Sequence, residues 1–163
     1  AGDGSFLAAY AKDHPELNFL GVERLLGRLR KIERKSRRNH LGNVRLIRIE
    51  AAYLTQFLLP AGSVAAVHIY FPDPWPKRRH WKNRLVTPEF TELLRRALQP
   101  EGIVYLRTDN EDYFKQMLAS FKENPKFGEV ETPSELSAFI TDFERNFKLR
   151  GIPTLRAAYR KQS

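Results

Sequence analysis

Cysteine is absent from the 163 residues. That excludes disulfides, thiolate metal sites and any mechanism built on a cysteine nucleophile, methylation of carbon through a thiolate included. No apolar run approaches the roughly 20 residues of a membrane span; the nearly continuous apolar stretch Val64 to Pro72 is far shorter. The N-terminus has no basic-then-apolar leader pattern, so no membrane partner is expected and the cytoplasm is the expected compartment. No Gly-Lys-Ser or Gly-Lys-Thr phosphate loop occurs, which argues against ATP or GTP chemistry. Repeats and low-complexity tracts are missing as well. Acid is scarce beside base: 28 Lys+Arg against 19 Asp+Glu leave a formal charge of +9, with a pI near 10.0 and a mean hydropathy of −0.51. A polyanionic partner is implied, while net charge alone says nothing of fold or chemistry.

The chain does contain 11 Phe, 6 Tyr and 2 Trp, enough at this length for one folded domain over residues 1–163. Apolar runs and helical patches alternate, which predicts an α/β fold: a mostly parallel sheet with helices on both faces. Expected strands are Leu17 to Val22, Val44 to Ile49, Val64 to Phe71 and Ile103 to Thr108. The third is nearly all apolar, as a strand buried on both faces should be. Expected helices are Ser5 to Lys12, Arg24 to Asn39, Pro88 to Leu98 and Glu111 to Lys122, with starts marked by Ser5, by Thr87-Pro88 with Glu89, and by Asp109. Phe127 to Arg160 should add two strands flanking Thr141 to Arg150.

The positive charge is clustered. Arg24 to Arg38 holds eight basic residues and one acid, Lys77 to Arg84 five and none, Arg145 to Lys161 six and none. In the first cluster Leu25, Leu26, Leu29 and Ile32 fall at helical spacing, predicting a core face opposite a basic one; a solvated exterior and a phosphate-binding face are both open readings. The second cluster interleaves Trp75, His80 and Trp81, a combination suited to phosphates and unstacked bases.

In open α/β sheets, ligands bind beyond the carboxyl ends of the strands. Four expected strands end in an acid: Glu23, Glu50, Asp73 and Asp109. One such acid is an ordinary helix cap; four in register point to a site. Glu23 follows Gly4 by nineteen residues, close to the roughly 20 between a glycine-rich turn and a ribose-binding acid. Gly2-x-Gly4 would let backbone approach a nucleoside. With no phosphate loop, S-adenosylmethionine (SAM) fits better than a nucleotide. In Phe71-Pro72-Asp73-Pro74-Trp75-Pro76-Lys77 three prolines restrict the backbone and hold Asp73 just past a strand end.

The stretch His68-Ile-Tyr-Phe-Pro-Asp-Pro-Trp-Pro-Lys-Arg-Arg-His80, continuing through Lys82 and Arg84, resembles the signature of the bacterial tRNA (guanine-N7-)-methyltransferases, and the resemblance runs from Gly2-Asp3-Gly4 to Thr141-Asp142-Phe143-Glu144. It implies a Rossmann-like class I SAM-dependent methyltransferase fold and transfer of a methyl group to N7 of guanine 46 in the tRNA variable loop. It further implies that Gly2, Gly4, Glu23, Glu50 and Ala51 bind SAM, Glu23 at the ribose and Glu50 with Ala51 at the adenine, and that Asp73 is catalytic beside the cofactor. Lys77, Asp109, Thr141, Asp142, Phe143 and Glu144 would bind substrate, and Arg79, His80, Trp81, Lys82, Asn83 and Arg84 would grip RNA. This chain has Glu50 where the family usually has Asp. The family's leading Glu-x-Gly is not in the sequence, so an N-terminal strand and extension are expected to be missing from it.

Guanine N7 carries a lone pair and no proton, so in-line displacement needs alignment rather than a general base. A carboxylate from Asp73 or Asp109, accepting from guanine N1–H and the exocyclic amine, would select guanine and stabilise the charge developing on the ring. The target base must first be exposed, and Trp75 or Trp81 is a candidate to stack on it. No metal is needed. Two other readings stand: an amino-group methyltransferase, because Asp-Pro-Trp loosely matches the Asp/Asn-Pro-Pro-aromatic turn, and a non-catalytic RNA-binding module on the same fold. A monomer is favoured slightly over a homodimer.

Overall fold

A computed structural model describes residues 2–163. Its elements run α1 (Ser5–Asp13), β1 (Phe19–Glu23), α2 (Leu26–Arg38), β2 (Val44–Arg48), α3 (Ala51–Tyr53) continuing as a π-helical turn (Leu54–Leu58), β3 (Val64–Tyr70), a 3₁₀ turn (Arg78–Asn83), α4 (Pro88–Ala97), β4 (Leu98–Thr108), α5 (Glu111–Lys122), β5 (Phe127–Val130), a second 3₁₀ turn (Ser134–Ala138), α6 (Asp142–Leu149) and β6 (Leu155–Lys161). They form two compact units, Ala1–Ala51 with Pro133–Gly151, and Ala52–Thr132 with Ile152–Ser163.

In the first unit β1 and β2 pair in parallel, from Phe19 opposite Val44 to Glu23 opposite Arg48. Asn43 seals the turn between α1 and β1 by donating its side-chain amide to the carbonyls of Ala11, His14 and Leu17. Gly4 precedes α1 with φ 81°, and a Cβ there would lie 2.8 Å from Cγ1 of Ile32. A glycine is therefore required for the start of α1 to sit against α2. Ile32 is fully buried, but Leu25 and Leu26, expected on the same core face, are 46% and 39% exposed. For Leu25 the reason is local: it is the extended residue before α2, whereas Leu26 is the helix's first residue. Tyr10 contributes instead, edge-on to Phe19 and to Phe139 at 5.7 and 5.1 Å.

The second unit holds a four-stranded sheet in the order β3-β4-β6-β5. β3 and β4 are parallel, whereas β6 runs antiparallel to both of its neighbours. Hydrogen bonding thus gives two sheets in the described residues, with as many antiparallel as parallel pairings, where one mostly parallel sheet was expected. The core lies on one face of this sheet: Val104 and Leu106 of β4, Phe90 and Leu94 of α4, and Tyr113, Met117 and Phe121 of α5 are buried together. Thr87 caps α4 by accepting from the amide of Phe90.

Three expectations change here. β3 is not buried on both faces: Ala65 and Ala66 are exposed, and among the described residues β4 alone pairs with it. β4 starts at Leu98 rather than Ile103, with a register shift where Pro100 cannot donate and Glu101 takes φ 60°. The turn at Leu54–Leu58 was not foreseen. Its loosened carbonyls at Thr55 and Gln56 accept from the Arg96 guanidinium at 2.7 and 2.6 Å, a partner 40 residues away.

Candidate active site

In the first unit Glu23 ends β1 and is 8% exposed. Burial opposes its charge, but the Leu25 amide, donating to Oε1 at 2.9 Å, and the nearby Arg28 guanidinium hold its carboxyl below the ordinary value. The result is an ionised acceptor at a strand end, the chemistry a ribose diol requires. Glu50 is exposed just past β2, and Ala51 opens α3.

Gly2 and Gly4 flank Asp3 with φ 59° and 81°. Asp3 accepts from the Ser5 amide at 3.1 Å and from the Lys35 ammonium of α2. Burial opposes its charge, yet bonds from Asp142, Lys35 and Ser5 take its carboxyl far below the usual carboxylate range. The bond it shares with Asp3 raises Asp142 in turn. Ser5 Oγ also lies 3.0 Å from Asp142 Oδ1. The structure therefore brings Gly2 to Asp142 and Phe143, which with Asp3, Arg28 and Lys31 line a depression of about 130 Å³.

Thr141 and Glu144, expected to bind substrate, form a capping box at the start of α6. The Thr141 amide donates to Glu144 Oε2 at 2.9 Å and the Glu144 amide to Thr141 Oγ1 at 3.1 Å. Both residues are buried. They fix the helix end that presents Asp142 and Phe143.

In the second unit the proline segment leaves β3 under tension. Phe71 and Trp75, neither a glycine, have φ of 50° and 46°, a left-handed conformation costing about 1–2 kcal/mol each. Such strain persists only where surroundings enforce it. The Phe71 amide donates to the Arg107 carbonyl at 2.8 Å, and Trp75 meets His80 edge-on at 5.8 Å. Asp73 lies between them, exposed. Asp109 follows β4, half-buried. It does not cap α5 as expected; Asn110 does, accepting from the Tyr113 amide at 2.8 Å. The extended backbone at Asn110 shifts the helix start by one residue.

Of the expected RNA-binding residues, Arg79, Lys82 and Asn83 are exposed, as is Lys77. His80 is half-buried and accepts from Arg79 Nε at 3.3 Å. Trp81 has the guanidinium carbons of Arg78 and Arg84 at 5.4 and 4.5 Å from its ring centroid, and its Nε1 is buried; cations already occupy the environment a stacking base would need. Arg84 is the clear correction. Its side chain is 1% exposed, and it donates to Pro74 O at 2.7 Å, Gln116 Oε1 at 2.7 Å and Asp112 Oδ2 at 2.8 Å. A guanidinium so committed does not reach RNA.

A further polar cluster on β3 and β4 went unread in the sequence. His68 Nδ1 is 2.8 Å from the Tyr70 hydroxyl, its ring stacks on Tyr105 at 5.0 Å, and Arg107 lies 4.2 Å from the Tyr70 ring centroid. Burial, then the Arg107 charge, push His68 down to about 4.

A family model described as "Putative methyltransferase" matches residues 1–156. The tRNA (guanine-N(7)-)-methyltransferase of Leifsonia xyli subsp. xyli is 38% identical over 164 residues, covering 98% of this chain and 72% of its own length. That of Thermotoga maritima is 35% identical over 161 residues, covering 98% of this chain and 51% of its own length. The chain thus spans between about half and seven-tenths of these curated relatives. Among solved structures, the 16S rRNA methyltransferase KamB matches with a TM-score of 0.70 at 14% identity, covering 99% of this chain and 85% of that one. That likeness shows the fold, the Rossmann-like one of class I SAM-dependent methyltransferases. With a family model over nearly its whole length and relatives well above 30% identity, the chain belongs to the tRNA (guanine-N(7)-)-methyltransferase family.

Proposed function

We propose that this protein is an enzyme of the tRNA pool in the cytoplasm, methylating N7 of guanine in the tRNA variable loop with SAM as the donor. What carries the reading is the strained segment Phe71–Lys77: an exposed Asp73 held between two left-handed residues, in a chain whose relatives bear that activity as their name.

The residues present suit the cofactor. Glu23 offers an ionised acceptor for the ribose hydroxyls, and Gly2 and Gly4 give the preceding turn its left-handed backbone; Glu50 and Ala51 follow the next strand, where an adenine would be held. SAM, when bound, supplies the methyl group. Everything else falls to the chain. Since N7 already exposes its lone pair, no side chain has to remove a proton. Asp73, with Asp109 as the second acceptor, accepts from guanine N1–H and the exocyclic amine. That contact strengthens as the purine becomes cationic and excludes adenine, which has no N1–H to donate. Lys77 contacts the substrate, Asp142 and Phe143 present the guanine side of α6, and Arg79, Lys82 and Asn83 hold phosphates.

The test is a nuclease digest of tRNA incubated with the protein and SAM. 7-Methylguanosine is expected; N6-methyladenosine in its place would establish the amino-group reading. Calorimetry showing no SAM binding would establish the non-catalytic one. Asp73→Asn should lower turnover by about two orders of magnitude, the scale set by losing one preorganised electrostatic contact.

A further inference from the structure

The basic run Lys77–Arg84 contains one residue that behaves unlike the others. Arg84 ends the 3₁₀ turn, its amide donating to the Trp81 carbonyl at 2.9 Å, and its guanidinium points into the second unit. There it spends its nitrogens on three separate acceptors. Nε takes the Pro74 carbonyl, the residue directly after Asp73; the two terminal nitrogens take Gln116 and Asp112. These last two are four apart on α5, hence on one face of that helix. The plane of the guanidinium lies against two rings, Trp81 at 4.5 Å and Tyr113 at 4.8 Å. Tyr113 is itself fully buried and accepts from the Val86 amide through its hydroxyl at 3.0 Å. The fork is therefore fixed by helix α5, and what it fixes in turn is the carbonyl beside Asp73.

A lysine cannot replace this arrangement, because an ammonium is a point charge without the planar fork that reaches three acceptors at once. Nor do the prolines suffice. They set φ at Pro72, Pro74 and Pro76, but Phe71 and Trp75 sit in a conformation the chain leaves unless held. The Phe71 end is tied to β4 through the Arg107 carbonyl. The Pro74 end has Arg84.

We propose that Arg84 is a positioning residue for Asp73: a clamp that ties the Asp73 loop to α5 through Pro74, Asp112 and Gln116, and not one of the RNA contacts among which its place in the basic run would put it. This rests on the reading of Asp73 as the group that meets guanine.

The experiment compares Arg84→Lys and Gln116→Leu with Gln116→Glu, which keeps an acceptor at the same place, all under conditions where melting curves show each protein folded. Arg84→Lys and Gln116→Leu are expected to lower kcat for methyl transfer about tenfold or more, the effect of a misplaced reacting geometry, with tRNA Kd within about twofold and its salt dependence unchanged. Gln116→Glu, which keeps the acceptor for Arg84 and gives up only the bond from Gln116 Nε2 to the Val86 carbonyl at 3.2 Å, is expected to keep kcat near wild type. Amide hydrogen exchange over residues 71–77 should quicken in the first two variants and not in the third. An Arg84→Lys protein with wild-type kcat and exchange, or one that instead loses tRNA affinity with a shallower salt slope, overturns the proposal. If the wild-type protein makes no 7-methylguanosine, the functional reading fails by itself, and the exchange result still decides whether the clamp exists.

Discussion

Helix α2 offers the most direct reading of how the charge excess is used. Of its cations, Lys35 is bonded to Asp3 and Arg37 is paired with Glu33 at 2.8 Å. Arg30, Arg34 and Arg38 are exposed and four residues apart, so they form one row along the helix. If each neutralises one tRNA phosphate, changing all three to Gln removes about 0.7–0.9 per contact from the slope of log K against log salt, about 2–3 in all. Between 50 and 200 mM salt the wild-type protein should then lose about 30-fold more affinity than the triple variant, a fourfold salt range raised to that slope difference. Gln is close to Arg in helix propensity, so stability should hold. Fluorescence anisotropy of labelled tRNA over a salt series reads the slope. Parallel lines for the two proteins would mean that this row faces only solvent, and the reasoning would be refuted.

Further outcomes follow from the geometry. Gly4→Ala should cost about 2–4 kcal/mol in urea unfolding, adding left-handed backbone strain to a Cβ 2.8 Å from Ile32; a loss under about 1 kcal/mol would show that the turn yields freely. Thr141→Val should cost about 1 kcal/mol by removing the cap of α6, and a stability equal to wild type would count against the capping role. His68 is held below its ordinary value, to about 4, so the unfolded chain takes up a proton first. Its contribution is complete above about pH 6.5 and is lost as pH falls toward 4. At about 1.4 kcal/mol per pH unit the ceiling is about 3 kcal/mol, reduced because the ring is only half-buried. His68→Gln should flatten this acid decline in urea midpoints between pH 7 and 4.5; an unchanged decline would place the sensitivity elsewhere.

Much of the fold was legible because its signals are local. The runs at Val44 and Val64, the Thr87-Pro88 start of α4 and the acids at Glu23 and Asp73 all declare themselves within a few residues. What escaped depends on partners far along the chain. Arg84 carries the same charge as Arg79 and Lys82, and nothing nearby says that Asp112 and Gln116 will bury it. The π-helical turn at Leu54–Leu58 exists where Arg96 can take its carbonyls. Thr141-x-x-Glu144 is legible as a capping box within four residues.

The central claim is methyl transfer to N7 of one guanine in tRNA. 7-Methylguanosine opens under borohydride and lets aniline cut the strand at that nucleotide, so end-labelled tRNA incubated with the protein and SAM reports both the atom and the position. One new cut in the variable loop, absent when SAM is withheld and nearly absent with Asp73→Asn, is the expected result. Incorporation of the methyl group without any such cut, or a cut undiminished in Asp73→Asn, would contradict it.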